Sequence, residues 1–446
     1  MSQDYTTIRT EDQGLDGGNH HCLRVPAWSF IKRISFRFVF AYLLLYNLPF
    51  PINVLPGGYF LGLPWTWLWN AVVPWAGKVV FGVDITVFPN GSGDTTYNYV
   101  QVFCFFVLAL FAALLWSLLD RKRGDYRVLH RWLHAHVRFV LALTMFSYGL
   151  AKVFMTQFGP PSPDKLLSTY GESSPMGLLW TFMGASTAYC VFTGLAECVS
   201  GILLTMRRTT LIGALLCMAV MTHVVMLNFC YDVPVKLYSS HLLAMAGFLV
   251  IPDIRRVLNV LALHKATPPA LMQPLFSFLP LHKSVLIVRS VGVVILAAAI
   301  TFQNWQAAEQ YGPSAPKSSL HGIWNVQKFE LDGKPVPPLL NDKSRWRRLV
   351  FSHPEAVTVH LINDQRSHYT AKIEEKDARF TLTKGPKDKS KWQAVFTMTR
   401  PQPDLLTLDG SFETRKLHLE LKRQPESKSL LVSRGFHWIN EYPFNQ

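Results

Sequence analysis

Apolar residues fall into seven runs long enough to cross a bilayer, at about residues 36–54, 98–119, 138–155, 186–206, 209–229, 237–254 and 285–304. The first run is the weakest, because Asn47, Pro49, Pro51 and Asn53 interrupt it. After Trp305 the stretch "EQYGPSAPKSS" reads as a linker, and beyond it the period changes from helical to alternating. The segments "AVTVHLI", "ARFTLT", "KWQAVFTMT" and "KLHLEL" place apolar residues at every second position, while "LDGK", "INDQ" and "LDGS" supply hairpin turns. Eight to ten such strands within residues 319–446 predict a small antiparallel barrel. The expected fold is an α-helical membrane bundle of about seven transmembrane helices followed by a C-terminal antiparallel β-barrel.

Basic residues orient the spans. One set of loops holds Arg24, Lys32, Arg33 and Arg37; Arg121, Lys122, Arg123, Arg127, Arg131 and Arg138; Arg207 and Arg208; and Arg255, Arg256, Lys265, Lys283 and Arg289. The alternate loops hold only Lys78, Lys165 and Lys236. The positive-inside rule then makes the N-terminus cytoplasmic and, after seven crossings, the barrel extracytoplasmic. The domains that follow are a cytoplasmic tail (1–35), two spans with a Trp-rich interfacial segment (36–137), a four-helix core (138–256), a cytoplasmic loop with the seventh span (257–306), a linker (307–318) and the barrel (319–446). The segment "GGYFLGLPWTWLWNAVVPWAGKVVFGV" has four tryptophans and little charge, so it is expected to lie at headgroup level. The outer loop "QFGPPSPDKLLSTYGESSPMGLLWTFMGAS" mixes prolines and glycines and is a candidate to dip back into the bundle.

Composition agrees with a membrane protein: 49% of residues are hydrophobic, only 16% are charged, and the mean hydropathy is +0.17. A net charge of +15 raises nucleic acid as a partner. Much of the excess in the first 318 residues sits in short loops between spans, where membrane topology accounts for it. The polar, acidic N-terminus lacks the features of a cleaved signal peptide, so the first span is expected to act as the insertion signal. The six cysteines include no C-x-x-C pair, which argues against a disulfide scaffold. No metal-ligand motif, phosphate loop or nucleophile elbow is present, and no metal or resident cofactor is expected. His130 and His134 stand at i, i+4 but among arginines, as in an amphipathic cytoplasmic segment.

Candidate chemistry comes from polar groups inside the spans. An ammonium at the centre of a span costs roughly 2.5 to 3.5 kcal/mol, so Lys152 needs a partner. Counted at about 1.5 Å per residue from the basic residues marking the cytoplasmic edge, Lys152 and His241 lie about 21 Å up, His223 about 22 Å and Glu197 about 15 Å. These four residues stand on four successive spans, and Lys152 is expected to meet Glu197. Such groups tie helices together in some bundles and mark reaction sites in others. Lys152, Glu197 and His223 are the candidate catalytic set. His241, Asn228, Tyr231, Asp232 and Lys236 are the candidate substrate-binding set, with Pro234 shaping the turn that holds Asp232 and Lys236 at the entrance. Gly194, Ala196, Ser200 and Gly201 surround Glu197 with small side chains that let a neighbouring helix approach.

The stretches "YGLAKVF", "GLAECVSGILLTMRRTTLIGALL" and "YSSHLLAMAGFLVIPDIRR" resemble the DoxX family of small four-helix membrane proteins, over about a quarter of the chain. Gly149, Lys152 and Glu197 carry that likeness. The opening "LHGIWNVQKFELDG" is similar to the Gly-x-Trp first strand of lipocalin-like domains, here Gly322 and Trp324. The DoxX resemblance implies a membrane subunit of a quinone-linked oxidoreductase in a bacterial inner membrane, working with a redox partner protein. In that reading Lys152 and His223 serve a quinone carbonyl and Glu197 holds the lysine charged. A second reading is a solute- or lipid-transport protein with an external ligand-binding barrel. A third is an enzyme like the vitamin K-dependent carboxylases, which share an intramembrane lysine base and an extramembrane β domain; a paired Glu197 opposes the lowered lysine pKa that chemistry needs.

Overall fold

The computed structural model describes residues 5–7, 24–51, 58–87, 90–269, 279–384 and 392–445. The chain forms two compact units, Met1–Leu150 with Thr193–Phe302, and Ala151–Phe192 with Gln303–Gln446. The first is helical apart from a short pair of strands, β1 (Tyr5–Thr7) and β2 (Arg24–Pro26). Its helices are α1 (Phe30–Asn47), α2 (Gly58–Ala76), α3 (Thr96–Leu119), most of α4 (Arg127–Val153), and, after a segment containing α5 (Pro175–Ala185), most of α6 (Thr187–Thr205). It continues with α7 (Thr210–Cys230), α8 (Lys236–Val250), α9 (Ile254–Leu261) and most of α10 (Leu279–Gln310).

Five described helical stretches are long and apolar enough to cross a membrane: Thr96–Leu119, Thr187–Thr205, Thr210–Cys230, Lys236–Leu261 and Ser290–Gln310. The protein is therefore membrane-associated. The other two expected spans exist as α1 and α4, but they are more polar. Arg37 on α1 and Arg138 on α4 are turned inward, 3% and 4% exposed. Arg37 donates to Tyr126 Oη from Nε at 3.0 Å, to Ser117 Oγ at 2.6 Å and to the Asp120 carbonyl at 2.8 Å, while Tyr126 Oη donates to the Asp120 carboxylate at 2.9 Å. This network ties α1 to the α3–α4 connection and accommodates the inward-turned Arg37 guanidinium.

Local signals set the helix limits. Ser29 accepts from Lys32 N to start α1, a reciprocal Thr95–Asn98 capping box starts α3, and Ser174 followed by Pro175 starts α5. The predicted headgroup-level segment is α2, whose Trp69 and Val73 pack with Phe105 of α3 while Phe60, Trp67 and Trp75 stay exposed. Small residues bring α4 and α6 together as expected. A Cβ on Gly149 would stand 2.6 Å from the Gly194 carbonyl oxygen, and one on Gly201 would stand 2.8 Å from that of Ala142.

In the second unit, strands β3 (Gly322–Leu331), β5 (Trp346–His353), β6 (Ala356–Leu361), β7 (Arg366–Glu374), β8 (Arg379–Thr383), β9 (Gln393–Gln402), β10 (Leu405–Phe412) and β11 (Arg415–Arg423) pair in sequence, antiparallel throughout. The pairing of β11 with β3 closes an eight-stranded barrel, and β4 (Lys334–Pro335) adds a short edge to β3. Trp324, Phe351, Phe380 and Phe396, all at most 1% exposed, fill the interior with their neighbours, so the barrel is a packed core. Trp324 Nε1 donates to the Leu320 carbonyl at 2.8 Å, and Arg423 donates to the His321 carbonyl at 2.8 Å beside Gly322.

Three details depart from expectation. "LDGK" and "INDQ" are turns, with Asp332, Gly333 and Asp364 at positive φ, but Asp409 and Gly410 of "LDGS" lie inside β10. The strand continues because Gly410 packs against β9, where a Cβ would meet the Val395 carbonyl oxygen at 2.2 Å; the turn falls at Glu413, with φ 57°. The expected linker at 307–318 begins later, since α10 runs to Gln310. The aromatic terminal "GFHWINEYPFN" suits, by sequence, a strand that packs against the outer loops, but residues 435–445 form no strand and Trp438 is 91% exposed; a cation–π contact joins Arg434 to Phe444. A short helix, α11 (Leu430–Ser433), precedes that tail.

Candidate functional site

The helical unit holds an aromatic and polar cluster centred on His241 of α8. The His241 ring stacks on Tyr46 of α1 with centroids 4.0 Å apart and planes 6° from parallel. Tyr42, one helical turn earlier on α1, places its Oη 2.6 Å from His241 Nε2. Nδ1 of the same ring lies 2.7 Å from the Leu237 carbonyl, which can only accept. Nδ1 therefore carries a proton, and in the neutral ring Nε2 accepts from the Tyr42 hydroxyl. Both ring nitrogens are satisfied, and one end of the hydrogen bond is a hydroxyl able to exchange its proton.

Further tyrosines extend the cluster. Tyr46 lies within electrostatic reach of Tyr238 and Tyr148. The Tyr148 and Tyr238 rings are 6.4 Å apart, and Tyr238 Oη is 3.4 Å from Thr144 Oγ1. Glu197 on α6, 3% exposed, lies within electrostatic reach of Tyr148 and of Cys217. A succession of polar rings thus runs between Glu197 and His241 inside one unit.

The remaining predicted residues separate into groups. Asn228 is buried and its Nδ2 donates to Ser239 Oγ at 3.0 Å, a tie between α7 and α8. Tyr231 is half-buried and caps α7. Asp232 is exposed at φ 51° and pairs with Lys236 at 2.8 Å. The residue that organises this entrance is Asp94, whose carboxylate accepts from the backbone of Lys236 at 2.7 Å and of Leu237 at 2.9 Å. Asp94 thus caps α8 from another loop and fixes the start of the helix that carries His241.

His223 does not join the cluster. Its side chain is exposed on the outside of α7. Depth along a span gives no information on which way a side chain faces, so the height arithmetic could not detect this. Lys152 is buried, 7% exposed, in the second unit, and its Nζ lies 5.9 Å from the Phe158 ring centre. The Lys152 carbonyl accepts from Cys190 Sγ at 3.4 Å. Lys152 and Glu197 belong to different units.

The second unit also fixes the outer loop that was a candidate to dip into the bundle. His360 Nε2 of β6 is 3.1 Å from Asp164 Oδ1, and the backbone N–H of Asp164 donates to Ser352 Oγ at 3.3 Å. The loop folds with the barrel because its acidic and hydroxyl groups find basic partners on β6 and β7. The hydrogen bond from His360, with the charges of Arg366 and His368, holds the Asp164 carboxyl below the usual carboxylate range.

The residues missed from sequence are Tyr42, Tyr46, Tyr148 and Tyr238. Their signal was spacing: Tyr42 and Tyr46 stand at i, i+4 in an apolar run, and Tyr238 precedes His241 by three. No cluster of three or more His, Cys, Asp or Glu side chains able to hold a metal occurs among the described residues.

No protein-family model matches the chain. A protein of Bacillus subtilis strain 168, described as uncharacterized protein YwoB, is 34% identical over 126 residues, which make up 28% of this chain and 80% of that protein. This chain belongs to the YwoB family. Most of YwoB is matched, whereas most of this chain lies outside the matched stretch, so the YwoB likeness describes a part of a larger architecture. No solved structure matches.

Proposed function

We propose that the helical unit binds a planar ligand with carbonyl acceptors, of the quinone class, and that the protein is a DoxX-like membrane component of a quinone-linked redox system. The observation that carries this reading is the His241 ring stacked on Tyr46 and hydrogen-bonded to the Tyr42 hydroxyl. Stacked rings favour a flat aromatic guest, and a hydroxyl next to an imidazole can give and regain a proton at a carbonyl oxygen. Glu197, reached through Tyr148 and Tyr238, is the acid that would resupply that proton. A quinone supplies the two-electron chemistry; the chain's own residues bind it, orient it and move protons.

Lys152 enters this reading from sequence. Its depth along its own span, counted from the sequence, resembles that of His241, and a buried ammonium at such a depth marks a reaction site or pathway. The basic loops support a cytoplasmic N-terminus, a multi-pass arrangement in a bacterial inner membrane and an extracytoplasmic barrel. The transport alternative draws less support, since side chains fill the barrel interior. Neither the Tyr–His cluster nor the packed barrel adds support for a carboxylase.

The test is to reconstitute the full chain in nanodiscs and titrate a soluble short-chain quinone while following quenching of protein fluorescence. Saturable binding that weakens at least tenfold in Tyr42→Phe and His241→Phe is expected. Binding unchanged in both variants would refute the assignment of the site.

A further inference from the structure

The outer face of the barrel carries a row of basic residues. In the sheet register Arg348 of β5 is opposite His360 of β6, and His360 is opposite Arg366 of β7. Directly opposed residues on neighbouring strands project from the same face with Cβ atoms about 4.5 to 5.5 Å apart. Two places along β6, Thr358 is opposite His368 and lies 3.1 Å from its Nδ1. The inward residues of β6 are Val357 and Val359, which belong to the barrel core. Thr358 and His360 therefore face outward, yet both are buried.

The row is poorly satisfied for its charge. Arg348 Nε is fully buried and makes no hydrogen bond among the described residues. Among the described residues Arg366, itself exposed, reaches Ser168 Oγ at 3.5 Å and the exposed Glu172 carboxylate at 3.8 Å. Strong guanidinium–oxyanion bonds are about 2.7 to 2.9 Å long. The nearby Asp364 is already taken by Arg347. One carboxylate, Asp164, is set into this face against His360. Asp164 also lies within electrostatic reach of Arg366 and His368, and Arg366 within reach of Arg348, so two carboxylates, Asp164 and the exposed Glu172, meet two guanidiniums and two imidazoles.

We propose that Arg348, His360 and Arg366, with His368 beside them, form a binding site for a phosphate-type oxyanion, and that the Asp164 carboxylate is its built-in, displaceable occupant. Planar guanidiniums match the oxygen spacing of phosphate, and a dianion satisfies more donors than one carboxylate does. The oxyanion is either free phosphate or a phospholipid headgroup. Its entry releases the loop that carries Asp164, so occupancy on the barrel is reported as a change in the loop that leads back to α6.

The experiment uses the full chain in nanodiscs of zwitterionic lipid, titrated calorimetrically with inorganic phosphate, with trypsin cleavage after Lys165 as the report of loop release. Phosphate should bind saturably and accelerate that cleavage. Asp164→Asn should bind about tenfold more tightly, and Arg348→Gln with Arg366→Gln at least tenfold more weakly. Should the double variant fail to fold, Arg348→Gln alone, checked by circular dichroism, serves the same purpose. In a second arm, nanodiscs containing an anionic phospholipid are tested without added phosphate. Faster cleavage there identifies the headgroup as the source, and an effect of free phosphate alone identifies the soluble anion. Absence of saturable phosphate binding in Asp164→Asn, or binding indifferent to loss of the arginines, overturns the proposal.

Discussion

Removing the Tyr42 hydroxyl while keeping its ring isolates the hydrogen bond at the centre of the helical site. In Tyr42→Phe the His241 Nε2 loses its donor, while the stack on Tyr46 and the bond from Nδ1 to Leu237 persist. An acceptor left unpaired in a buried setting costs about 1 to 3 kcal/mol. In His241→Phe the Tyr42 hydroxyl is the group left unpaired, at a similar cost, while the Leu237 carbonyl keeps its helical backbone bond. When both partners become Phe, the pair is replaced by apolar rings of matching shape, so the double variant should lose less than the two singles together. Side-chain hydrogen bonds inside membrane bundles average roughly 0.6 kcal/mol and reach about 1.7 kcal/mol. For a bond of 2.6 Å a coupling toward the upper part of that range is expected. Wild type, the two singles and the double can be compared by denaturant unfolding in mixed micelles, with tryptophan fluorescence as the signal. Additive losses, within about 0.3 kcal/mol, would show that the hydroxyl and the imidazole do not interact and would remove the basis of the site.

Two further outcomes follow from the barrel. Gly410→Ala should lower thermal stability strongly, by about 2 kcal/mol or more, because the new methyl meets backbone atoms of β9 that cannot rotate away; a melting temperature unchanged from wild type would contradict the close approach of the strands. The Asp409 carboxylate, 2.5 Å from His418 Nδ1, raises the His418 pKa by favouring the charged ring, so the pair's contribution is complete below the ordinary histidine pKa and is lost as pH rises through the higher folded value. Histidine ring resonances followed by NMR should show that raised midpoint and its fall in Asp409→Asn, whereas a midpoint unaffected by the substitution would contradict the pairing.

The sequence made the main division of the chain legible, and for physical reasons. Apolar runs near α3, α6, α7 and α8 had to be helices because a spanning segment must satisfy its own backbone, and the alternating segments after residue 319 had to be strands. Lys152 and Glu197 were recognised as buried charges because charge in an apolar run has few alternatives. Azimuth was not legible: His223 shares the depth of the other candidates but faces outward, since helix phase depends on packing partners far away in sequence. The tyrosines escaped notice because a phenol inside an apolar span costs little and so does not stand out. "LDGS" misled for a related reason, as Gly410 serves a close strand contact that local sequence cannot distinguish from a turn. The loop around Asp164 and the Asp94 cap depend on contacts between residues more than a hundred positions apart, which no local pattern contains.

The central claim is that the Tyr42–Tyr46–His241 cluster holds a quinone-class ligand. Mass spectrometry of the lipids that remain with the full chain after purification from native membranes, carried out in parallel on wild type and on the variant with Tyr42→Phe and His241→Phe, tests it most directly. The account predicts quinone retained near one per chain by the wild type and depleted at least tenfold in the variant. Quinone at the level of empty micelles in both samples, or equal retention by both, would contradict it.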